Sequence, residues 1–214
     1  MAKISKGILG GFSGKVGPVI GYNWRGQEMI RAVPKKGKKE PSELQVMQRA
    51  KFALVVIFLT PLRDFLERYY LRSGGLRTRF NNATGHSIRY AVSTDGSGNF
   101  VLEYAKILIS SGQLRAAENV TVTPVAGTKL EFSWTDNSGQ GNASERDQFC
   151  VVGYLPELNA FEIFEKVAGR ADANVTIALS PQARGQKMHV WSTFVSENGK
   201  KAAVSSYLGL VTNT

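Results

Sequence analysis

The chain has 214 residues, 43% of them apolar and 10% aromatic, which is enough to build a core and too apolar for a disordered chain. Its formal charge of +10 favours anionic partners, and its single cysteine, Cys150, excludes an internal disulfide and any cysteine-based zinc spacing. The positive excess belongs to the first half: residues 1–51 carry 11 basic and 3 acidic side chains, residues 52–115 carry 8 and 4, and residues 116–214 carry 8 and 10. Such asymmetry points to contact with nucleic acid, an anionic polymer or an acidic protein by one half only.

In chain order, residues 6–17 alternate glycine with single large apolar residues, the pattern of an arm ordered by contact. Its Gly14-Lys15 pair is no phosphate loop, because Leu9 and Val16 stand where that motif needs glycine and a hydroxyl residue. The stretch from Ile8 to Phe12 is too short and too glycine-rich for a signal peptide. Residues 16–22 and 28–33 are β-prone and flank Trp24-Arg25-Gly26-Gln27, which predicts a hairpin. Residues 34–41, Pro-Lys-Lys-Gly-Lys-Lys-Glu-Pro, form a basic connector that can be neither strand nor helix interior.

A helix is predicted from Ser42, with Gln45 completing a capping box, and residues 52–59 within it are apolar on every side. That run is far below the roughly 20 residues of a membrane span. An all-round apolar helix needs cover on all sides, so another copy of the chain or the second half is expected to supply it. Pro61 predicts a kink, after which Leu62, Phe65, Leu66 and Tyr69 recur at helical spacing up to Ser73-Gly74-Gly75. Residues 77–92 read as a weaker helix broken by Gly85, residues 93–98 as a turn, and residues 100–109 as a strand. The second half holds seven short β-prone runs, at 120–123, 129–135, 148–154, 160–165, 175–179, 187–195 and 202–208, each followed by turn residues. Leu130, Phe132 and Trp134 alternate with polar residues, and Asn198-Gly199 marks a hairpin before the last run. The chain therefore reads as α+β: a basic arm and hairpin with a long kinked helix in 1–115, then a β-sandwich in 116–214 whose alternation closes on itself.

Residues 128–135, Thr-Lys-Leu-Glu-Phe-Ser-Trp-Thr, and residues 195–199, Val-Ser-Glu-Asn-Gly, resemble a fibronectin III domain, with its second-strand tryptophan and the turn before its last strand. That resemblance implies a seven-stranded sandwich. The sixth-strand tyrosine usual in that family is absent, with Met188 near its place. Residues 4–17, 48–54 and 132–139 are similar to a Bacteroidota family of unknown function, which implies no activity. The glycine-rich basic start and the Gln-Arg-Ala-Lys-Phe helix also look, more loosely, like small virion or prophage structural proteins.

Little points to chemistry. His86 and His189 lie in different halves, and Glu145 with Asp147 or Glu162 with Glu165 are the candidate carboxylate pairs. No cofactor or metal is expected, and the chain reads as non-enzymatic. The residues expected to meet nucleic acid or another anion are Lys3, Lys6, Lys15, Arg25, Arg31, Lys35, Lys36, Lys38, Lys39 and Arg49, with Tyr22 and Trp24 stacking or anchoring. Ile8, Leu9, Phe12 and Val56 are the expected assembly contacts. The leading functional expectation is a structural protein of a homomeric assembly, such as a phage or prophage particle or a filament. The alternatives are a sequence-independent nucleic-acid-binding protein and an adhesive or carbohydrate-binding sandwich. A cytoplasmic or particle location is expected, without a cleaved signal or a membrane segment.

Overall fold

The computed structural model describes residues 2–3, 12–35, 40–72 and 77–213, and the chain divides into two compact units, Met1–Glu43 and Leu44–Thr214. The first unit is a four-stranded antiparallel sheet made of β1 (Ala2–Lys3), β2 (Gly14–Val16), β3 (Val19–Trp24) and β4 (Gln27–Ala32), in the order β1-β4-β3-β2. The β3–β4 hairpin turns on Arg25 and Gly26, at φ 51° and 78°, the primed turn whose twist matches that of the strands. The Asn23 side-chain oxygen accepts the Gly26 amide proton at 2.9 Å and holds it. Gly21 is required by a close approach: a Cβ there would strike the Phe12 carbonyl and ring.

The second unit begins with α1 (Glu43–Leu59), a single 3-10 turn (Thr60–Leu62), α2 (Arg63–Tyr69) and α3 (Arg79–Tyr90). Pro61 sits in the 3-10 turn, where its missing amide proton costs no helical bond. Thr78 caps α3 by accepting the Asn81 amide proton at 3.1 Å. The helix runs straight through Gly85, because Phe80, Ala83, Thr84 and Ser87 bury one face and outweigh one glycine's propensity cost of about 1 kcal/mol. A small hairpin, β5 (Val92–Thr94) and β6 (Phe100–Leu102), follows. The strand expected over 100–109 ends early in a 3-10 turn (Tyr104–Lys106), after which Ile107 and Ile109 are buried.

The remaining strands are β7 (Glu118–Val125), β8 (Lys129–Thr135), β9 (Gln148–Leu155), β10 (Ala160–Gly169), β11 (Asn174–Ala178), β12 (Lys187–Val195) and β13 (Ser206–Thr212). They form a three-stranded sheet, β11-β8-β7, and a four-stranded sheet, β10-β9-β12-β13, all pairs antiparallel. Leu130, Phe132, Trp134 and Ile177 of the smaller sheet meet Phe149, Val151, Val190 and Phe194 of the larger in one core. Trp134 stacks on Phe149 at 4.3 Å, and β8 alternates buried and exposed residues along its whole length. The last strand begins at Ser206 rather than 202, because Ala202 bridges to Val195 and Ala203 to Leu114.

The four-stranded sheet is buried on both faces. Cys150, Val152, Tyr154, Trp191 and Val195 point away from the other sheet and join Phe58, Leu59, Leu62, Phe65, Leu66 and Tyr69 in a second core. Phe58 anchors α1 there, with its ring 5.0 Å from that of Tyr154 and 5.1 Å from that of Phe161. The second half therefore does not close on itself: the helices cover its outer face, and the compact units divide at 43/44 rather than at 115/116. Burial pushes the Cys150 thiol up to about 11, the state of an inert packing residue.

Candidate assembly and nucleic-acid surfaces

Two surfaces emerge, one in each unit. On the first, strand register decides which side chains share a face. Lys15 pairs across to Ile20 and Ile20 to Arg31, while Tyr22 pairs to Met29 and Trp24 to Gln27, so these seven side chains lie on one face of the sheet. Glu28, opposite Asn23, belongs to the other face. The Arg31 guanidinium lies 5.4 Å from the Tyr22 ring centre, and that of Arg25 lies 5.2 Å from the ring of Trp24. Trp24 is 46% exposed at the hairpin tip. Cations interleaved with open aromatic faces suit phosphate contact with base stacking. Of the expected anion contacts, the sheet gathers Lys15 and Arg31 with Tyr22 and Trp24, and Arg25 stands at its turn. Lys35 is exposed in the connector, and Arg49 lies on α1, outside this sheet. Lys3 is in β1, and Lys6, Lys36, Lys38 and Lys39 lie outside the described residues, as do Ile8 and Leu9.

The second surface is α1. The all-round apolar run 52–59 is not all-round buried: only Val55, Phe58 and Leu59 of this helix are, continuing into Leu62, Phe65, Leu66 and Tyr69. At 100° per residue, the opposite face carries Val46, Ala50, Ala53 and Ile57, at i, i+4, i+7 and i+11, and all four are exposed. Val46 is 51% and Ile57 67% exposed; Leu44, Met47 and Phe52 are exposed too, but on other sides of the helix. Arg49 is the only charged side chain between Glu43 and Lys51, and none follows until Arg63. Val56 is half-buried, lining a small cavity with Phe80, Thr84 and Ile88, so it packs within the body rather than on the open face. The spacing of Val46, Ala50, Ala53 and Ile57 defines the outer stripe only once the buried face of the helix is known. Residues 52–59, being apolar at every position, concealed which of them faces out.

Three of the four candidate carboxylates are engaged in the fold, while Glu145 is exposed. Asp147 is buried and paired with Arg170 at 3.1 Å, Glu165 accepts from the Tyr69 hydroxyl at 2.9 Å and pairs with Arg68, and Glu162 accepts from the Ser180 amide and hydroxyl. The Tyr69 hydroxyl is pushed up to about 12 by burial and by Glu165. His189 pairs with the Tyr207 hydroxyl at 2.7 Å and stacks on Tyr104, and burial lowers its pKa. Among the described residues no three His, Cys, Asp or Glu gather in a metal-holding group, and no helix is long and apolar enough to cross a membrane.

The model of a family of unknown function, DUF6266, matches residues 11–209. The chain belongs to that family. The match runs from before β2 into β13, so the family spans both compact units and both candidate surfaces. No curated protein matches the chain. Among solved structures, it is similar to the fibronectin III domain of human collagen alpha-1(XX), at 15% identity and TM-score 0.35, over 49% of this chain and 89% of that one. It is similar also to one from human contactin 1, at 10% and 0.37 over 57% and 92%. A third is the FN5 domain of Drosophila Lar, at 13% and 0.31 over 48% and 96%.

Proposed function

We propose that the chain is a structural protein that self-assembles through the outer face of α1. The observation that carries this is the bare stripe Val46, Ala50, Ala53, Ile57, directly opposite the residues that fasten the helix to its own body. The stripe is symmetric about its centre. Laid antiparallel on a second copy, it sets Val46 on Ile57 and Ala50 on Ala53, a self-complementary two-fold contact in which the alanines let the backbones approach. Arg49 then meets only Leu54, so no like charges are forced together. Two valines and two isoleucines leave water in the pair, at roughly 1.5 to 3 kcal/mol for each side chain fully buried. Val46→Lys combined with Ile57→Lys should convert an oligomer to monomer in sedimentation, weakening association on the order of 100-fold or more. Circular dichroism should stay unchanged, because both positions are exposed. A wild-type chain that sediments as a monomer at high concentration defeats the reading.

A second reading, sequence-independent binding of nucleic acid, is favoured by the cations and rings that the register sets on one face of the N-terminal sheet. A short oligodeoxythymidine should then quench tryptophan fluorescence, with affinity falling steeply with salt. Arg31→Ser should reduce the log–log salt slope by about 0.7, the contribution of one single-strand phosphate, and Tyr22→Ala should cost about 1–3 kcal/mol of binding. An unchanged slope in the arginine variant counts against this face.

A further inference from the structure

The end of α2 and the start of α3 border two adjoining open cavities in the second unit, of about 270 and 360 Å³, the first bordered also by the turn between β12 and β13. They share Tyr70, Leu71 and Ser111. The first is rimmed by Arg68, Arg72, Arg79, Lys200 and Lys201, and the second by Arg77 and Arg89. No carboxylate lines either. Two of these cations serve the fold: Arg68 pairs with Glu165, and Arg79 donates to the carbonyls of Glu67 and Arg68 at the end of α2. Arg72, Arg77, Arg89, Lys200 and Lys201 have no ion-pair partner among the described residues. Five like charges drawn to one crevice repel one another, a standing cost that an anion would remove.

Two further features concern the second cavity. His86 lines it, and its Nδ1 is buried without a hydrogen-bond partner among the described residues. Burial and the neighbouring Arg89 lower its pKa, which favours a neutral ring able to accept or donate one hydrogen bond. Tyr90, 52% exposed, stands beside it with ring centres 4.8 Å apart.

We propose that this crevice is a binding site for a single nucleic-acid strand, with phosphates held by Arg72, Lys200 and Lys201 in one cavity and by Arg77 and Arg89 in the next, and a base against Tyr90. Arginine forks match phosphate oxygens, and an exposed ring accepts any base face. The charge extends through both cavities past Tyr70, more than one small anion would occupy, and the carboxylate side chains of an acidic peptide carry no ring to set against Tyr90. The site shares a ligand class with the second reading above, but it lies in a different compact unit and stands if that reading fails.

The test uses the full chain and a short labelled oligodeoxythymidine. Arg77→Ser with Arg89→Ser, and separately Lys200→Ser with Lys201→Ser, should each weaken binding about tenfold or more and lower the log–log salt slope by about 1.4, two phosphates' worth. Melting of both variants in low salt should be equal to the wild type or higher, since repulsion is relieved. Tyr22→Ala with Trp24→Ala should leave the effect of the crevice variants in place. Affinity within twofold of wild type in both crevice variants overturns the proposal. So does inorganic pyrophosphate binding as tightly as the strand, which would show a small-anion site, or polyglutamate displacing the strand at equal charge, which would show attraction of charge alone.

Discussion

Expressed alone, residues 116–214 are expected to fail to fold cooperatively, whereas residues 44–214 fold. The fragment contains both sheets, but it exposes the outer face of the larger one, where Cys150, Val152, Tyr154, Trp191 and Val195 are buried in the intact chain. At roughly 1.5 to 3 kcal/mol for each large side chain, losing that cover removes an amount comparable with the whole stability of a typical domain, about 5–15 kcal/mol. The same surface, flat and apolar across β9 and β12, invites aggregation. Calorimetry of the two fragments decides it: a cooperative transition in 116–214 near that of 44–214 would show that the helices are accessories.

The second large effect is expected at Arg170, the one fully buried arginine of the described residues. Its guanidinium donates to Asp147 at 3.2 Å, to Asn137 at 2.5 Å and to the Arg115 carbonyl at 2.9 Å, and lies 3.9 Å from the Phe194 ring centre. Its own carbonyl accepts the Trp134 indole proton at 2.8 Å. One side chain thus ties the start of β7, the loop after β8 and the start of β9 to the core. Arg170→Met keeps bulk over Phe194 but leaves the Asp147 carboxylate buried and unpaired, a loss of about 3–5 kcal/mol. Thermal melting should fall by on the order of 10 °C. Adding Asp147→Asn should recover part of it, because the uncompensated charge is then gone; no recovery would assign the loss to packing alone.

The strands of the second half were legible because β8 alternates cleanly and turn residues punctuate each run. What hid the helical cover was the same feature that required it. β9 is apolar and β12 buried at successive positions, the pattern of two-sided burial, yet inside a sandwich such runs read as ordinary core strands. The last strand starts later than expected because the apolar run Ala202-Ala203-Val204 looks like its beginning but pairs only as isolated bridges, while Ser205 Oγ accepts the Ile109 amide proton at 3.0 Å. On the surfaces, the hairpin's tyrosine, tryptophan and arginine were visible as neighbours in sequence. The crevice was not, because Lys200 and Lys201, far from Arg72 in sequence, line one cavity with it only in the folded chain.

A double substitution, Val46→Cys with Ile57→Cys, tests the antiparallel pairing of α1 directly. Within one chain these positions are eleven residues apart on a helix, about 16 Å, too far for a disulfide. Buried Cys150, with its thiol pushed up to about 11, should stay silent under mild oxidation. The pairing predicts a covalent species of twice the 23.4 kDa chain on a non-reducing gel, with Val46→Cys alone giving none. A double variant that stays monomeric, or a single variant that cross-links as well, would contradict it.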